Sequence, residues 1–466
     1  MGRGARRVLA IVTAGAAAAG IEVGGLQVVG PGGAPALAAT VSHATAGAVP
    51  GRHGADGATS AAGTGRHGHG ASQGATTGSG TVPESPSTLP VFADSGAVPA
   101  TTAGPGTTTT TAPVAPAGPT AAAHAPPSAA VAGEVSFIES AQLPDGAIQT
   151  YPRSGIVDPY EGSYAAAGLA QAAAMTGDMT AARDAWRWLE WYHAAEGHGG
   201  VVTNATVGPS GTTTPTGTVD STDATAGMFL VALRDAWAAT GDGARLAALH
   251  GAAVDAVGVI ESTQDSDGLT WALPTYHVKY LMDEDEAYAG LQAATAIARA
   301  LGDDVLAARA AADASRMAAG IASLWDPATG AYDWAKHADG VQQPTDWSHL
   351  YPDALEQVWT VAYGLASGPR ATTILDEFAA AQPQWAQPQA TATFWLDGQV
   401  KSQPVTYWPL GVWALLATGQ DAPAADALAA IRIGAASVSD AWPYTPAIAG
   451  ELLIGEAELD GVSTGP

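Results

Sequence analysis

The chain predicts an all-α fold, a closed double ring of six helical hairpins known as the (α/α)6 barrel, and three observations carry the prediction. Beyond Gly133 the apolar segments are rich in Ala and Leu and of helical length. Short and long connections alternate between them, the sign of stacked antiparallel hairpins. At the start of four such segments an acid is followed three residues later by another: Asp158/Glu161, Asp220/Asp223, Asp283/Glu286 and Asp353/Glu356.

The segments ahead of the barrel have other compositions. Arg3, Arg6 and Arg7 precede an apolar stretch from Val8 to about Gly20, and Ala36-Leu37-Ala38 offers a small-x-small cleavage site, so residues 1–38 read as an export signal. Glu22 interrupts the apolar run and argues against a lasting membrane span. Residues 39–133 are dominated by Gly, Ala, Thr and Pro, with Phe92 the only aromatic before Gly133, too little apolar bulk to offset the entropy of ordering; a disordered tether is expected. The domain expected at 134–460 contains all 14 Trp and all 12 Tyr. The secreted protein would be a monomer needing no cofactor or metal. With no Cys, neither a disulfide nor a Cys-ligated zinc is possible. The net charge of −26 excludes nucleic acid and acidic membranes as partners, whereas a neutral or cationic glycan fits.

Within the domain a first helix is expected at about 131–142. Inner helices follow at about 159–176, 221–240, 284–301, 353–366, 405–418 and 442–458, with outer partners near 179–196, 243–263, 305–324 and 368–382. Turns such as Thr176-Gly177-Asp178, Thr240-Gly241-Asp242 and Leu301-Gly302-Asp303 end one helix and begin the next. Strand signals are almost lacking. Small residues in Tyr164-Ala-Ala-Ala-Gly-Leu-Ala170 and Ala287-Tyr-Ala-Gly-Leu-Gln-Ala293 suit helices enclosed on every side. Trp186, Trp188 and Trp191 on an outer helix read as core.

The acid pairs carry the chemistry. Capping is the bland account, because Asp is a favoured N-cap and an acid three residues on complements the helix dipole. Four pairs beside aromatic loops, at inner-helix starts only, point instead to carboxylates converging at one barrel end, as cleavage of a sugar chain requires. One carboxylate of Asp220/Asp223 is expected to act with one of Asp283/Glu286, acid and base roles left open. In the run Asp283-Glu-Asp-Glu286 at least one acid should titrate high; Asp283 and Glu286 should face the barrel, leaving Glu284 and Asp285 to solvent. Substrate contacts are expected from Glu161, Trp271, Tyr276, Lys279, Tyr280, Trp347, Tyr351, Glu356, Tyr407, Trp408 and Trp442. Asp265-Ser-Asp267-Gly268 opens like a calcium loop but lacks the later ligands, so a plain turn is expected.

The hairpin architecture and the pieces Phe137-Ile-Glu-Ser-Ala-Gln-Leu-Pro-Asp-Gly146, Asp220-Ser-Thr-Asp-Ala-Thr225, Gln264-Asp-Ser-Asp-Gly-Leu-Thr-Trp271 and Lys279-Tyr-Leu-Met-Asp-Glu-Asp-Glu286 resemble the six-hairpin glycosidase superfamily over most of 134–460. The resemblance implies hydrolysis of glycosidic bonds, commonly with inversion. Three rivals share the geometry. A polysaccharide lyase would use Tyr276-His277 and Tyr280 as bases, but the domain is short of Lys and Arg for an acidic substrate. A terpene cyclase would need the central Asp missing from Asp220-Ser-Thr-Asp223. A non-catalytic glycan-binding domain would need the rings and not the acids.

Overall fold

Inner helices in contact on every side must be small-faced, and the computed structural model shows where that matters. It describes residues 127–462 apart from 198, 388–389, 397–398, 405–407 and 438–442, together with strands β1 (Ile21–Val23) and β2 (Val41–His43), which pair antiparallel. The rest of the expected export signal and most of the tether lie outside the described residues. The domain begins earlier than expected: Ser128 caps helix α1 (Ala129–Ala141), its Oγ accepting from the Val131 N–H at 3.2 Å.

Twelve further helices follow: α2 (Pro159–Thr176), α3 (Met179–Ala195), α4 (Thr222–Thr240), α5 (Gly243–Ala248), α6 (His250–Thr263), α7 (Leu281–Leu301), α8 (Asp304–Ser323), α9 (Asp353–Ala362), α10 (Gly368–Ala381), α11 (Leu410–Ala417), α12 (Asp421–Ser437) and α13 (Pro446–Leu459). Helices α2, α4, α7, α9, α11 and α13 touch in that order, and α13 returns to α2, closing the inner ring. The outer helices pack behind them, as in α3 against α2 and α8 against α7. The all-α double ring expected from the sequence is thus present.

Two crossings of the inner ring depend on glycine. A Cβ on Gly168 would lie 2.3 Å from the Gly450 Cα, and one on Gly290 would lie 2.3 Å from the Gly227 Cα, so α2/α13 and α4/α7 meet backbone to backbone. Between the first helix and the last pair, Arg432 bridges Glu134 (2.8 and 3.0 Å) and Glu456 (2.7 Å), a clasp across the closure of the ring. Trp186, Trp188 and Trp191 are buried in the core, the latter two stacked at 4.8 Å.

Two expectations need correction. The segment near 243–263 is two helices meeting at Leu249. The long loops also hold small antiparallel sheets: β3 (Ile156–Val157), β4 (Ala205–Val207) and β5 (Thr213–Pro215); β6 (Val278–Tyr280) with β9 (Ala335–His337) and β10 (Gln342–Gln343); β7 (Trp325–Asp326) with β8 (Ala331–Tyr332); and the hairpin β11 (Thr391–Leu396)/β12 (Gln399–Pro404). That hairpin occupies chain ahead of α11, which therefore starts later than the expected 405. Among the described residues no helix is long and apolar enough to cross a membrane.

Candidate active site

All inner helices run the same way, so their N-termini share one barrel end, and the long loops lie at that end. Capping explains only one acid pair. Asp158 caps α2, its Oδ1 accepting from the Tyr160 N–H at 3.0 Å. The cap of α4 is Ser221 rather than Asp220, and α7 and α9 start without a side-chain cap. The outer helices α3, α5 and α8 use single aspartates, Asp178, Asp242 and Asp303.

Acids of neighbouring pairs act on one another's titration, and they lie at two depths. Asp220 is exposed and Glu161 half-buried, while Asp223 and Glu286 are fully enclosed and Asp283 retains 6% exposure. Although Asp220 as a whole residue is exposed, enclosure of its carboxyl by protein, then Asp158 and Asp223, push that carboxyl up to about 7. Burial, then Asp158 and Asp220, raise Glu161 well above the carboxylate range. Asp283 is raised by burial and then by Asp223, Glu286, Asp220 and Glu356, so acids from three hairpins crowd around it.

Glu286 is the most elaborately held. Its Oε1 accepts from Tyr160 Oη (2.7 Å), from Tyr164 Oη and from Trp359 Nε1 (3.3 Å), while Oε2 has no protein partner. Burial pushes its carboxyl up to about 7 against those three donors. Tyr164 in turn meets Tyr363 Oη at 2.9 Å, so α2, α7 and α9 are tied across the barrel axis.

Glu284 and Asp285, expected in solvent, are fully buried. The far side of an inner helix faces the outer ring and the loops, not water. Glu284 accepts from the Thr270 N–H (2.8 and 3.0 Å) and Oγ1 (3.1 Å), and Asp285 accepts from Thr360 Oγ1 at 2.9 Å. Glu356, expected at the substrate, is likewise fully buried, beside the backbone N–H groups of Leu281 and Met282 at the start of α7.

Lys279, expected to orient sugar hydroxyls, is 1% exposed and bound to Asp265 (2.9 Å) and Asp267 (2.6 Å), 4.0 Å above the Trp271 ring. The apparent calcium-loop opening is therefore a turn whose acids face ammonium groups, Lys336 also reaching Asp267 at 2.9 Å. Among the described residues no group of acids and histidines is disposed to hold a metal ion.

Of the aromatic candidates, Trp271, Tyr276, Tyr280, Trp347, Tyr351 and Trp408 are all half-buried at this end. Tyr276 and Tyr280 share a hydrogen bond of 3.0 Å, Tyr280 stacks on Trp334 at 6.1 Å, and Tyr351 stacks on Trp408 at 5.6 Å. Burial, and then the charges of Glu356, Asp220, Asp283 and Glu286, raise the Tyr351 phenol, so that ring neighbours acids at or just ahead of the starts of α4, α7 and α9. Tyr407 and Trp442 lie outside the described residues.

Sequence reasoning missed Glu451. It lies half-buried in the second turn of α13, where burial and then Glu286 and Glu161 raise its carboxyl well above the usual range. An acid inside the otherwise small and apolar run Ala447-Ile-Ala-Gly-Glu-Leu-Leu-Ile454 was the available signal.

No protein-family model and no curated protein matches the chain. Solved structures do. A glycosidase variant in complex with glucose is 16% identical, with a TM-score of 0.51 over 72% of this chain and 96% of its own. A mannosylglycerate hydrolase from Thermus thermophilus, also in complex with glucose, is 13% identical, with a TM-score of 0.50 over 72% of this chain and 100% of its own. At such identities the likeness is one of architecture, and the chain has the six-hairpin (α/α)6 toroid fold of these glycosidases.

Proposed function

We propose that the chain is a glycoside hydrolase acting on a neutral or amino-sugar polysaccharide or oligosaccharide, with Asp220 as the proton donor. One observation carries this reading. Asp220 is exposed as a residue, yet enclosure of its carboxyl by protein and then the charges of Asp158 and Asp223 push it up to about 7, so it keeps a proton in a good share of molecules at neutral pH, where a leaving glycosidic oxygen can take it. Glu451 is the base. Asp220 responds to Asp158 and Asp223, whereas Glu451 responds to Glu286 and Glu161. Glu161 neighbours both, since the Asp220 charge raises Glu161 and the Glu161 charge raises Glu451. Asp223, Asp283 and Glu286, with Tyr160 and Tyr164, form the floor that sets their protonation. The rings of Trp271, Tyr351 and Trp408 offer stacking faces to sugars.

Residues 1–38 would direct export and 39–133 would space a monomeric domain from its attachment. The fold likeness to two glycosidases supports the reading without fixing a substrate.

The test is incubation of the protein with a panel of neutral, amino-sugar and uronate polysaccharides, following new reducing ends and ultraviolet absorbance of unsaturated uronates. Reducing ends without that absorbance are expected, and the first anomer seen by NMR should be inverted. Asp220→Asn and Glu451→Gln should each lower turnover by about a hundredfold or more. Full turnover in Glu451→Gln alongside loss in Asp283→Asn would move the base to Asp283. The rate should depend on pH through both groups, loss of the Asp220 proton at about 7 opposing the ionisation of Glu451 that base action needs.

A further inference from the structure

The sugar-stacking role of Tyr351 rests on the hydrolase reading of the site, but what holds Tyr351 in place is visible in the backbone. The Leu350 N–H donates to the Thr393 carbonyl at 2.6 Å, and the Tyr351 carbonyl accepts from the Trp395 N–H at 2.8 Å. Tyr351 is thereby bracketed by strand β11, beside Phe394, and its ring goes on to stack on Trp408. On the other side the loop is fastened to α9, the Asp346 N–H donating to Asp353 Oδ1 at 2.9 Å. Where the Tyr351 ring lies therefore depends on how β11 sits relative to the start of α9.

One side chain spans the two supports. The His349 ring stacks on the Trp395 ring, with centroids 6.1 Å apart and planes at 30°, while its Nδ1 lies 3.5 Å from Asp353 Oδ2 and its Nε2 lies 3.9 Å from Asp346 Oδ2. The His349 side chain is only 14% exposed, and Asp353 Oδ2 is buried and accepts no hydrogen bond among the described residues, so it faces the imidazole edge as its polar neighbour. Only a flat ring with polar edges can serve both supports at once. A phenyl group has the face without the edges, and a carboxamide has polar edges without the aromatic face.

We propose that His349 is a positioning residue, pinning the β11/β12 hairpin to the start of α9 and thereby fixing Tyr351 for sugar stacking. It acts through Tyr351 and not on the reacting atoms, so its loss should weaken the hold on the sugar and spare the chemical step.

Hydrogen exchange of the full chain, read by mass spectrometry in peptides covering 347–352 and 391–396, tests it in His349→Ala, His349→Phe and His349→Gln, alongside the kinetics of glycan cleavage. His349→Ala should exchange about tenfold faster or more in both segments while the segment around Thr270 stays unchanged, and the Phe and Gln variants should each recover part of the protection. KM should rise about fivefold in His349→Ala with kcat within about twofold of the wild type, and the KM values of the three variants should rank as their exchange does. Unchanged exchange in either segment of His349→Ala, equal loosening around Thr270, or a fall in kcat at constant KM would overturn the proposal. Its failure is separable from that of the hydrolase reading, because exchange needs no substrate. A wild type that cleaves no glycan sinks the hydrolysis while exchange still decides the pin, and faster exchange with KM unchanged sinks the positioning role and leaves hydrolysis standing.

Discussion

Two corners of the molecule are built to one plan and end in different uses. In the first, Ile138-Glu-Ser-Ala-Gln-Leu-Pro-Asp-Gly146 leaves α1; in the second, Ile260-Glu-Ser-Thr-Gln-Asp-Ser-Asp-Gly268 leaves α6. Gln142 Nε2 donates to the Gly146 and Asp184 carbonyls (3.0 and 2.8 Å), and Gln264 Nε2 donates to those of Gly268 and Asp313 (2.9 and 3.2 Å). Arg187 then donates to Gln142 Oε1 at 3.1 Å, and Arg316 to Gln264 Oε1 at 2.6 Å. Each corner thus fastens a loop to the outer helix of the next hairpin.

Beyond the glycine the two corners diverge. After Gly146 the loop is fastened to itself, Gln149 Oε1 accepting from the Gly155 N–H at 3.0 Å. After Gly268 it is fastened to inner helix α7 through Thr270 and Glu284, and it carries Trp271 over buried Lys279. The second corner has taken on buried charge in order to place a ring at the acid floor. A shared device for holding a loop has been adapted at one copy to serve the site.

The largest expected effect breaks that adaptation. Glu284→Ala leaves the buried Thr270 N–H and hydroxyl without their acceptor, at about 1–3 kcal/mol each, and opens a cavity, so a loss of about 3 kcal/mol or more is expected by denaturant titration. Glu284→Gln retains an acceptor and discriminates charge from hydrogen bonding. Because burial and then the charge of Asp223 raise Glu284 well above 4.5, its contribution is fully present below its unfolded value and fades as pH rises. The Gln variant should therefore gain on the wild type as pH increases. At the first corner, Gln149→Ala should lose only about 1 kcal/mol and leave glycan cleavage unchanged. Equal losses at the two corners would show that the link to α7 adds nothing.

Next come the glycines themselves. Gly146 and Gly268 have φ of +104° and +89°, and a Cβ on either would lie 2.2 Å from a backbone carbonyl oxygen, of Arg187 or Arg316. Ala at either position should destabilise by about 2 kcal/mol or more, since both conformation and space are wrong and the obstructing atom is backbone. The two variants should be alike in unfolding and unlike in catalysis, only Gly268→Ala slowing cleavage by displacing Trp271.

Legibility in the sequence tracks which forces are local. The helices and their hairpin order were legible because a ring of helices writes its small-residue periodicity and glycine caps into the chain; Gly177, Gly241 and Gly302 all adopt the left-handed conformation. The β11/β12 hairpin was legible too, as Asp397-Gly398 between two runs of strand length is a strong turn signal, but it was lost among helical spacings. The placing of the acid pairs at one barrel end was legible as a pattern, their depth was not. Whether Asp220 is open and Glu286 enclosed depends on Tyr160, Tyr164 and Trp359 arriving from two other helices. Glu451 stood alone in sequence, and only closure of α13 against α2 brings it to Glu161. Lys279 misled because a lysine among acids and aromatics in a loop fits a sugar contact as readily as a buried pair.

The smallest expected effect concerns that lysine and separates the corners by pH. Lys279 lowers Asp265 from its ordinary range, and for Asp267 burial works upward but is outweighed by the pairs with Lys279 and Lys336. A carboxyl lowered in the folded state stabilises it above the unfolded pKa and loses that contribution as pH falls through the folded value. The side chains of Asp265 and Asp267 are 40% and 25% exposed, so solvent screening keeps the gain modest. Lys279→Met should therefore cost about 1 kcal/mol at pH 7, and less as the carboxyls protonate below about pH 4. In the first corner Leu143 and Pro144 stand where Asp265 and Ser266 stand in the second; their carbonyls accept from Arg187 at 2.8 and 2.9 Å, Arg187 also pairs with the Asp184 carboxyl at 3.3 Å, and the Gln142 bonds of this corner involve no carboxyl. Gln142→Ala, which removes bonds to the Gly146 and Asp184 backbone carbonyls and to Arg187, should then lose stability by an amount that stays flat between pH 3 and 5, while the Lys279→Met loss shrinks over the same interval. Parallel pH profiles for the two variants would mean that the acids of the second corner add nothing beyond the hydrogen bonds the corners share.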